Sequence, residues 1–394
     1  MSKFQLKWGI LATGGIAESF GRDLTVNPET RDRNDIEHVV VAAASSSSAD
    51  RAKKYLKEVS APDSAKAYGS YKELVEDDNV DIIYVATPHS HHYQNTMLCL
   101  EAGKNVLCEK SLTVNAAQAE ALIKKAREKN LFLMEALWTR YHPISVYARE
   151  IVTSGKLGTV ERVFSDNSIG APPETSFDDK HRMVNPDLAG GALLDLGIYA
   201  LTWVFQTLYT TQENPQPPTV QSAIRTYEKT GVDQQTTMLL TFPRSSGEGD
   251  AHAIATTGMR VPSDPNGGLE APSIRIQGTK GELMVYPPAY RPTRSKLVLG
   301  DGTVDQKDWP HPGPGAGSGF KNGFGGSFGP EGEGMGMFWE ADECAYALKE
   351  GRKEGRYETL EESLVIMRVM DQVRGQHGFK LPEKIETTEY PVEL

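Results

Sequence analysis

The chain has 394 residues, 39% of them hydrophobic, and its 53 acidic against 42 basic side chains leave a net charge of −11. This length is the expectation for about two domains with sizeable cores, and an acidic pI near 5.4 with no basic stripe argues against a nucleic-acid ligand. Three cysteines without a CxxC spacing, and a start lacking the apolar core of a signal peptide, read as a reduced, cytoplasmic chain that does not span a membrane.

Trp8 to Leu11 predicts a strand, and the small residues that follow, up to Ala17, open a helix. This is the layout of a dinucleotide-binding turn, G-x-G-x-x-G/A, with Ala12 at the first small position, Gly14 at the second, Gly15 and Ile16 next, and Ala17 at the last. Small residues are needed there so that backbone N–H groups can reach a pyrophosphate at the helix N-terminus. A second strand, Val39 to Ala44, runs into Ser45, Ser46, Ser47 and Ser48 and then Arg51. NAD-selective folds carry an acidic residue at that strand end. Here hydroxyls, N–H groups and a guanidinium can donate to a 2′-phosphate instead, so the expected cofactor is NADP.

Ile82 to Ala86 predicts a buried strand, Thr87-Pro88 a turn, His92 to Ala102 a helix, and Asn105 to Cys108 a strand that delivers Glu109-Lys110. A charged pair at the carboxyl end of a parallel strand sits where such sheets bind ligands, which makes Lys110 a candidate catalytic group. A helix from Ala116 to Lys129 and a strand from Leu131 to Met134 complete five strands alternating with helices, the signature of βαβ units. His89, His91 and His92 lack cysteine or carboxylate companions at ligand spacing, so no metal is expected.

From about Val160 strand candidates follow one another: Thr159 to Asn167, Val220 to Tyr227, Gln235 to Phe242, Ala251 to Thr257, Ser273 to Gln277 and Glu282 to Val285. The fold class is therefore α/β, an N-terminal Rossmann domain plus a C-terminal α+β domain with a large, mainly antiparallel sheet. The boundary falls in a linker near residues 136 to 150, giving a dinucleotide-binding domain over 1–140 and a substrate-binding and dimerisation domain over 141–394. Between these strands, Gly190 and Gly191 precede a helical run from Ala192 to Phe205, whose spacing puts Asp195 and Tyr199 on one face. His181-Arg182 could reach a substrate or form a plain surface loop. Pro310 to Gly336 is rich in glycine and reads as a long surface loop, a mobile decoration rather than a lid. Amphipathic helices follow near Phe338 to Glu350 and Leu360 to Arg374.

Thr87-Pro88 with His92, G-K-N-V-L-C-E-K at Gly103 to Lys110, E-A-L-W-T-R at Glu135 to Arg140, G-G-A-L-L-D-L-G-I-Y at Gly190 to Tyr199 and G-M-F-W-E-A-D-E-C-A at Gly336 to Ala345 together resemble the glucose-fructose oxidoreductase / inositol dehydrogenase (Gfo/Idh/MocA) family. The likeness covers nearly the whole chain and is greatest to the branch of fungal NADP-dependent D-xylose dehydrogenases and dimeric dihydrodiol dehydrogenases. The family motif ends E-K-P, and Ser111 in place of the proline is expected to loosen the turn after the lysine.

The resemblance implies a Thr87-Pro88-His89 to His92 loop beside the nicotinamide, with Glu109 and Lys110 at the same edge and Trp138 and Arg140 walling the cofactor or the pocket. It implies Lys110, Asp195 and Tyr199 as the catalytic set, a homodimer paired through the outer face of the second sheet, and a small-molecule substrate. The implied reaction is NADP-dependent oxidation of the anomeric C1 hydroxyl of an aldose, D-xylose first; the alternatives are a trans-dihydrodiol substrate or a non-catalytic NADP-sensing regulator. Such chemistry needs a base for the hydroxyl proton. A lysine cation beside Tyr199 would lower the phenol toward working pH, or Lys110 is itself the base with Tyr199 positioning, the favoured variant. Asp195 would orient sugar hydroxyls, with His181 and Arg182 as further substrate contacts.

Overall fold

The computed structural model describes residues 3–244, 247, 249–324 and 327–394. Six strands, β1 (Phe4–Leu11), β2 (Ile36–Ala44), β3 (Lys66–Tyr68), β4 (Ile82–Val85), β5 (Asn105–Glu109) and β6 (Leu133–Ala136), form a sheet ordered β3-β2-β1-β4-β5-β6. Every pairing in it is parallel. Helices α1 (Gly15–Leu24), α2 (Ala49–Glu58), α3 (Tyr71–Val75), α4 (His89–Glu101) and α5 (Ala116–Glu128) make the crossovers. With both faces covered, β4 is buried at all its positions, as a parallel strand must be. The strand order reverses between β1 and β4, so the crevice at their carboxyl ends is the ligand-binding edge.

Helix α4 begins at His89, earlier than the expected His92, because Pro88 in an extended conformation caps it. The stretch expected as a linker is helical: a 3-10 turn at Trp138–Tyr141 leads into α6 (Pro143–Thr153).

The second sheet has eight strands: β7 (Val160–Ser168), β8 (Thr219–Thr226), β9 (Asp233–Phe242), β10 (Ala251–Gly258), β11 (Ile274–Gly278), β12 (Gly281–Val285), β13 (Arg294–Leu299) and β14 (Val304–Asp308). Their order is β14-β13-β12-β11-β7-β10-β9-β8, antiparallel throughout except for the parallel pair β7 and β10. Alternation puts Val163, Met238, Leu240, Ala253 and Ile276 on an inner, buried face. Against that face lies a π-helical turn, Leu193–Gly197, continuing into α8 (Ile198–Leu208), after the short α7 (Pro173–Ser176). The stretch Pro186–Leu208 is long and apolar enough to cross a membrane by composition, but it is enclosed by the protein's own core. The start of the π turn is set by Asp233 of β9, whose Oδ2 accepts the Leu193 N–H at 2.7 Å. Gly191 has φ +128°, and a Cβ there would sit 2.1 Å from Asp233 Oδ1, so both the turn and the close approach demand glycine.

The last helices return to the first sheet. α9 (Phe338–Glu350) packs on α1, β1 and β2, and α10 (Leu360–Gln376) on α5, β6 and β8, before the short α11 (Glu383–Glu386). α9 is pinned by a buried chain in which Trp8 Nε1 donates to His38 Nδ1 (3.2 Å), His38 Nε2 donates to Asp342 (2.9 Å), and Arg31 donates to both Asp342 oxygens (2.7 and 2.8 Å). α10 is pinned by Arg140, fully buried, whose Nη2 meets the Glu362 carboxylate at 2.6 Å and also donates to Tyr357 O at 2.8 Å. Removing one member of such a pair strands a charge in the interior. Arg140→Met should therefore lower the unfolding free energy in urea by about 3–5 kcal/mol while leaving NADP affinity of the folded protein unchanged.

Candidate active site

Strand β5 carries Lys110 to the sheet's carboxyl edge, where its Nζ donates to Asp195 Oδ1 and to Asp195 O, each at 2.8 Å. Arg182, half-exposed, donates to the same Oδ1 at 2.8 Å, and His89 Nε2 lies 3.9 Å from it. Burial alone would raise the Asp195 carboxyl, but the Arg182 and Lys110 charges outweigh it and hold the group well below the usual carboxylate range. Asp195 stands on the π turn and Tyr199 in the first turn of α8, so both are aimed at this edge. π turns recur at functional sites because they re-aim side chains within a helix.

Tyr199 differs from expectation. Its oxygen accepts from Trp138 Nε1 at 2.7 Å, while Lys110 Nζ lies over its ring, 5.1 Å from the centroid. Burial, with the Glu109 charge adding to it, pushes the phenol well above its ordinary value against the Trp138 hydrogen bond. Lys110 over the ring therefore does not bring this phenol toward neutral pH, because burial prevails.

Glu109 is buried and bonded to the Tyr84 hydroxyl, with Oε2 accepting the Lys110 backbone N–H at 3.2 Å. It braces Lys110 from behind. Ser111 is not a loose substitute for proline. It is fully buried, its hydroxyl donates to Leu194 O at 2.9 Å, and its carbonyl faces His92 Nδ1 at 2.8 Å.

His92 also faces Thr87 O through Nε2 at 2.8 Å, and Asn95 Nδ2 donates to Thr87 Oγ1 at 3.3 Å, so the Thr87-Pro88 turn is tied to the lysine turn. The two carbonyls favour a doubly protonated ring, yet burial prevails and pushes His92 down to about 4. His91 instead contacts Ser90. Among the described residues no cluster of three or more His, Cys, Asp or Glu could hold a metal.

At the other end of the edge the residues fit a dinucleotide. Gly14 and Gly15 are exposed, with open space where a Cβ would stand, and α1 has no side-chain cap, so its first N–H groups are available to an anion. Ala12 takes the left-handed φ of +77° that glycine serves in the usual fingerprint. Ile16 is half-buried beside them. After β2, Ser45 is buried and bonded to Ser47 (3.0 Å), Ser46 and Ser47 are exposed, and Arg51 Nη1 donates to Ser47 Oγ at 3.4 Å. This is a donor-rich shelf without a carboxylate from residue 45 to 49.

Two expected residues are not brought to the site. Arg140 is turned inward to Glu362, which corrects its assignment to the cofactor wall: a buried guanidinium finds its carboxylate on α10. His181 stacks on Phe177, with centroids 4.6 Å apart. Two aromatic residues were missed. Tyr290 lies 5.8 Å from the Tyr199 ring and 6.2 Å from Trp138, and Phe324 lies 6.0 Å from Tyr290 and 6.4 Å from Trp138. Both are only half-buried and form a lip over the Trp138–Tyr199 pair. They follow Trp138 by more than a hundred residues, and no local motif marks them.

Residues 6–137 match the family described as "Oxidoreductase family, NAD-binding Rossmann fold", and residues 145–284 match the GFO/IDH/MocA C-terminal domain. The chain is 51% identical over 393 residues to a D-xylose 1-dehydrogenase (NADP(+)) of Hypocrea jecorina, covering 98% of this chain and 96% of that one. It is 33% identical over 381 residues to the trans-1,2-dihydrobenzene-1,2-diol dehydrogenase of Homo sapiens, covering 96% and 98%. Among solved structures it shares its fold with an aldose-aldose oxidoreductase from Caulobacter crescentus, with TM-score 0.71, 21% identity and coverage of 95% and 98%. A 3-ketoreductase from Actinomadura kijaniata in complex with NADP gives TM-score 0.69, 24% identity and coverage of 94% and 97%.

Buried imidazoles give the site a pH signature. Burial pushes His89 down to about 3 and His92 to about 4, below the ~6.5 of an unfolded histidine. Between those values the unfolded chain binds protons that the folded one does not, so this stability is complete above about pH 6.5 and is lost as pH falls through the folded values. Urea unfolding should show stability falling by ~1.4 kcal/mol per pH unit for each such group across that window. His89→Asn should flatten the slope by one group's worth.

Proposed function

The chain belongs to the GFO/IDH/MocA oxidoreductase family, and from that premise we propose that it is an NADP-dependent D-xylose 1-dehydrogenase, oxidising the anomeric hydroxyl of the sugar to the lactone. The observation that carries the reading is the Lys110–Asp195–Arg182 cluster at the carboxyl edge of a dinucleotide sheet, in a chain half identical to an enzyme of that name. NADP, when bound, supplies the hydride acceptor. The α1 N-terminus with Gly14 and Gly15 would hold its pyrophosphate, and Ser45 to Ser47 with Arg51 its 2′-phosphate.

Lys110 is the proton acceptor in this reading. Asp195 faces two cations, so with Arg182 on the same oxygen the carboxylate stays paired when Lys110 is an uncharged amine. Tyr199, held neutral by its burial and with its oxygen already accepting from Trp138, keeps its own proton to donate to the reacting oxygen. Asp195 accepts from a neighbouring hydroxyl and orients the ring. Trp138, Tyr290 and Phe324 exclude water and face the apolar side of the substrate. That aromatic lip is also the observation favouring a second reading, a trans-dihydrodiol substrate.

The division of labour near residue 140, cofactor before it and substrate and partner contacts after it, belongs to this proposal. So does a homodimer. The outer face of the eight-stranded sheet is open, with Leu239 at 43% exposure amid polar residues such as Arg162, His252 and Glu282, and would pair with a second copy. A cytoplasmic location is supported by three cysteines that are all unpaired and buried.

NADPH formation should be faster, per kcat/KM, with D-xylose than with benzene dihydrodiol and with NADP than with NAD, and Ser45→Asp should abolish the cofactor preference by like-charge repulsion. Failure of every sugar and diol to support turnover in a protein that still binds NADP would overturn the enzyme reading. Lys110→Met should lower kcat at least about 100-fold. Arg182→Ala leaves Lys110 as the sole cation on Asp195 and should lower kcat/KM about tenfold; an unchanged kcat/KM would remove Arg182 from the site.

A further inference from the structure

The glycine-rich run expected to be a mobile decoration is tied down at its middle and its far end, and its anchor is the cofactor helix. At its far end the fully buried Asp23 of α1 accepts the backbone N–H groups of Met335 (2.9 Å), Gly336 (2.8 Å) and Met337 (2.7 Å). Arg291, the residue after Tyr290, donates there to Met335 O (3.2 Å) and Gly334 O (3.0 Å). Nearer its middle the Asn322 side-chain amide, 1% exposed, donates to Asp23 Oδ1 at 2.7 Å and to Ser19 O at 2.8 Å, while Ser19 Oγ donates to Gly323 O at 2.6 Å. Asn322 O in turn accepts the Gly329 N–H at 3.0 Å, closing the loop around the short pairing of Gly323–Phe324 with Ser327–Phe328. Phe324 follows two residues after Asn322 and stands in ring contact with Trp138 and Tyr290.

The helix whose first turn is free for the pyrophosphate therefore carries, one and two turns further on, the side chains that fix an aromatic ring of the substrate lip. A buried carboxylate is costly unless it is partnered, and the partners of Asp23 are Asn322 within the glycine-rich strap and the Met335, Gly336 and Met337 N–H groups where the strap runs into α9.

We propose that Asn322 is a positioning residue for the substrate site: through Ser19 and Asp23 it seats Phe324 against Trp138 and Tyr290, so that the fit of the sugar depends on the strap's attachment to the dinucleotide helix. This rests on the aldose dehydrogenase reading, and the test begins by establishing which sugar or diol the wild type turns over best, which decides that reading separately. On that substrate, Asn322→Ala should raise KM about tenfold and lower the preference for xylose over glucose about fivefold, with kcat and the NADPH dissociation constant within about twofold of wild type. Phe324→Ala should raise KM and lower the sugar preference at least as much, and the double variant should be no worse in KM than Phe324→Ala alone, since both remove one interaction. Ser19→Ala, which deletes a single bond, should shift KM in the same direction by less and supplies the cycle with Phe324→Ala if Asn322→Ala does not fold. Additive effects in the cycle, or an unchanged KM accompanied by weaker NADPH binding or a lower Tm, would assign Asn322 to the scaffold and overturn the proposal.

Discussion

A single carboxylate oxygen, Asp195 Oδ1, holds the site together. It takes a cation from the end of β5 and another from the loop ahead of the π turn, with an imidazole edge close by. Placing a carboxylate in this buried position costs solvation that one surface-type ion pair would not return, whereas two cations outweigh it. In the proposed reaction the second cation keeps the carboxylate paired while Lys110 takes the substrate proton. Structure and chemistry thus draw on one arrangement, and the neighbouring contacts serve it: Glu109 braces the Lys110 backbone, Ser111 ties the following turn to Leu194, and Asp233 sets where the helix bearing Asp195 begins.

The chain's last helices return to the first sheet, and α10 bridges from it to the second. α9 lies on α1, β1 and β2, and α10 reaches from α5 and β6 across to β8. Each is pinned by a buried ion pair, Arg31–Asp342 for one and Arg140–Glu362 for the other. Specific charge pairs are a strict way to choose a docking register between apolar surfaces, since a slip leaves both charges unpaired.

Much of this was legible because it follows local rules. The βαβ alternation, the charged pair ending β5, the Asp195 and Tyr199 spacing, and α9 in full can all be read from periodicity and strand ends. The failures at the site are non-local. Arg140 sits in a motif that pointed to the pocket, but its orientation is decided by Glu362, 222 positions later. Tyr290 and Phe324 have no signal until the fold places them beside Trp138. The edge strands β3 and β14 escaped notice because one has three residues and the other is exposed at every position, so neither carries an apolar pattern. The glycine-rich run looked unanchored since its partners, Ser19 and Asp23, lie some three hundred positions upstream.

The return of α9 to β1 has a consequence for biosynthesis. When β6 has emerged from the ribosome every strand of the parallel sheet exists, yet the face that meets Phe338, Ala341 and Cys344 has no cover until roughly 200 further residues are made, ~10–40 s at ~5–20 residues per second. During that interval the surface around Trp8 and Phe20 is an apolar patch on an otherwise assembled sheet. Nascent chains of this architecture therefore present chaperones with a defined, transient client surface, and messages truncated before α9 yield a dinucleotide fold that is complete in its strands but open on one side.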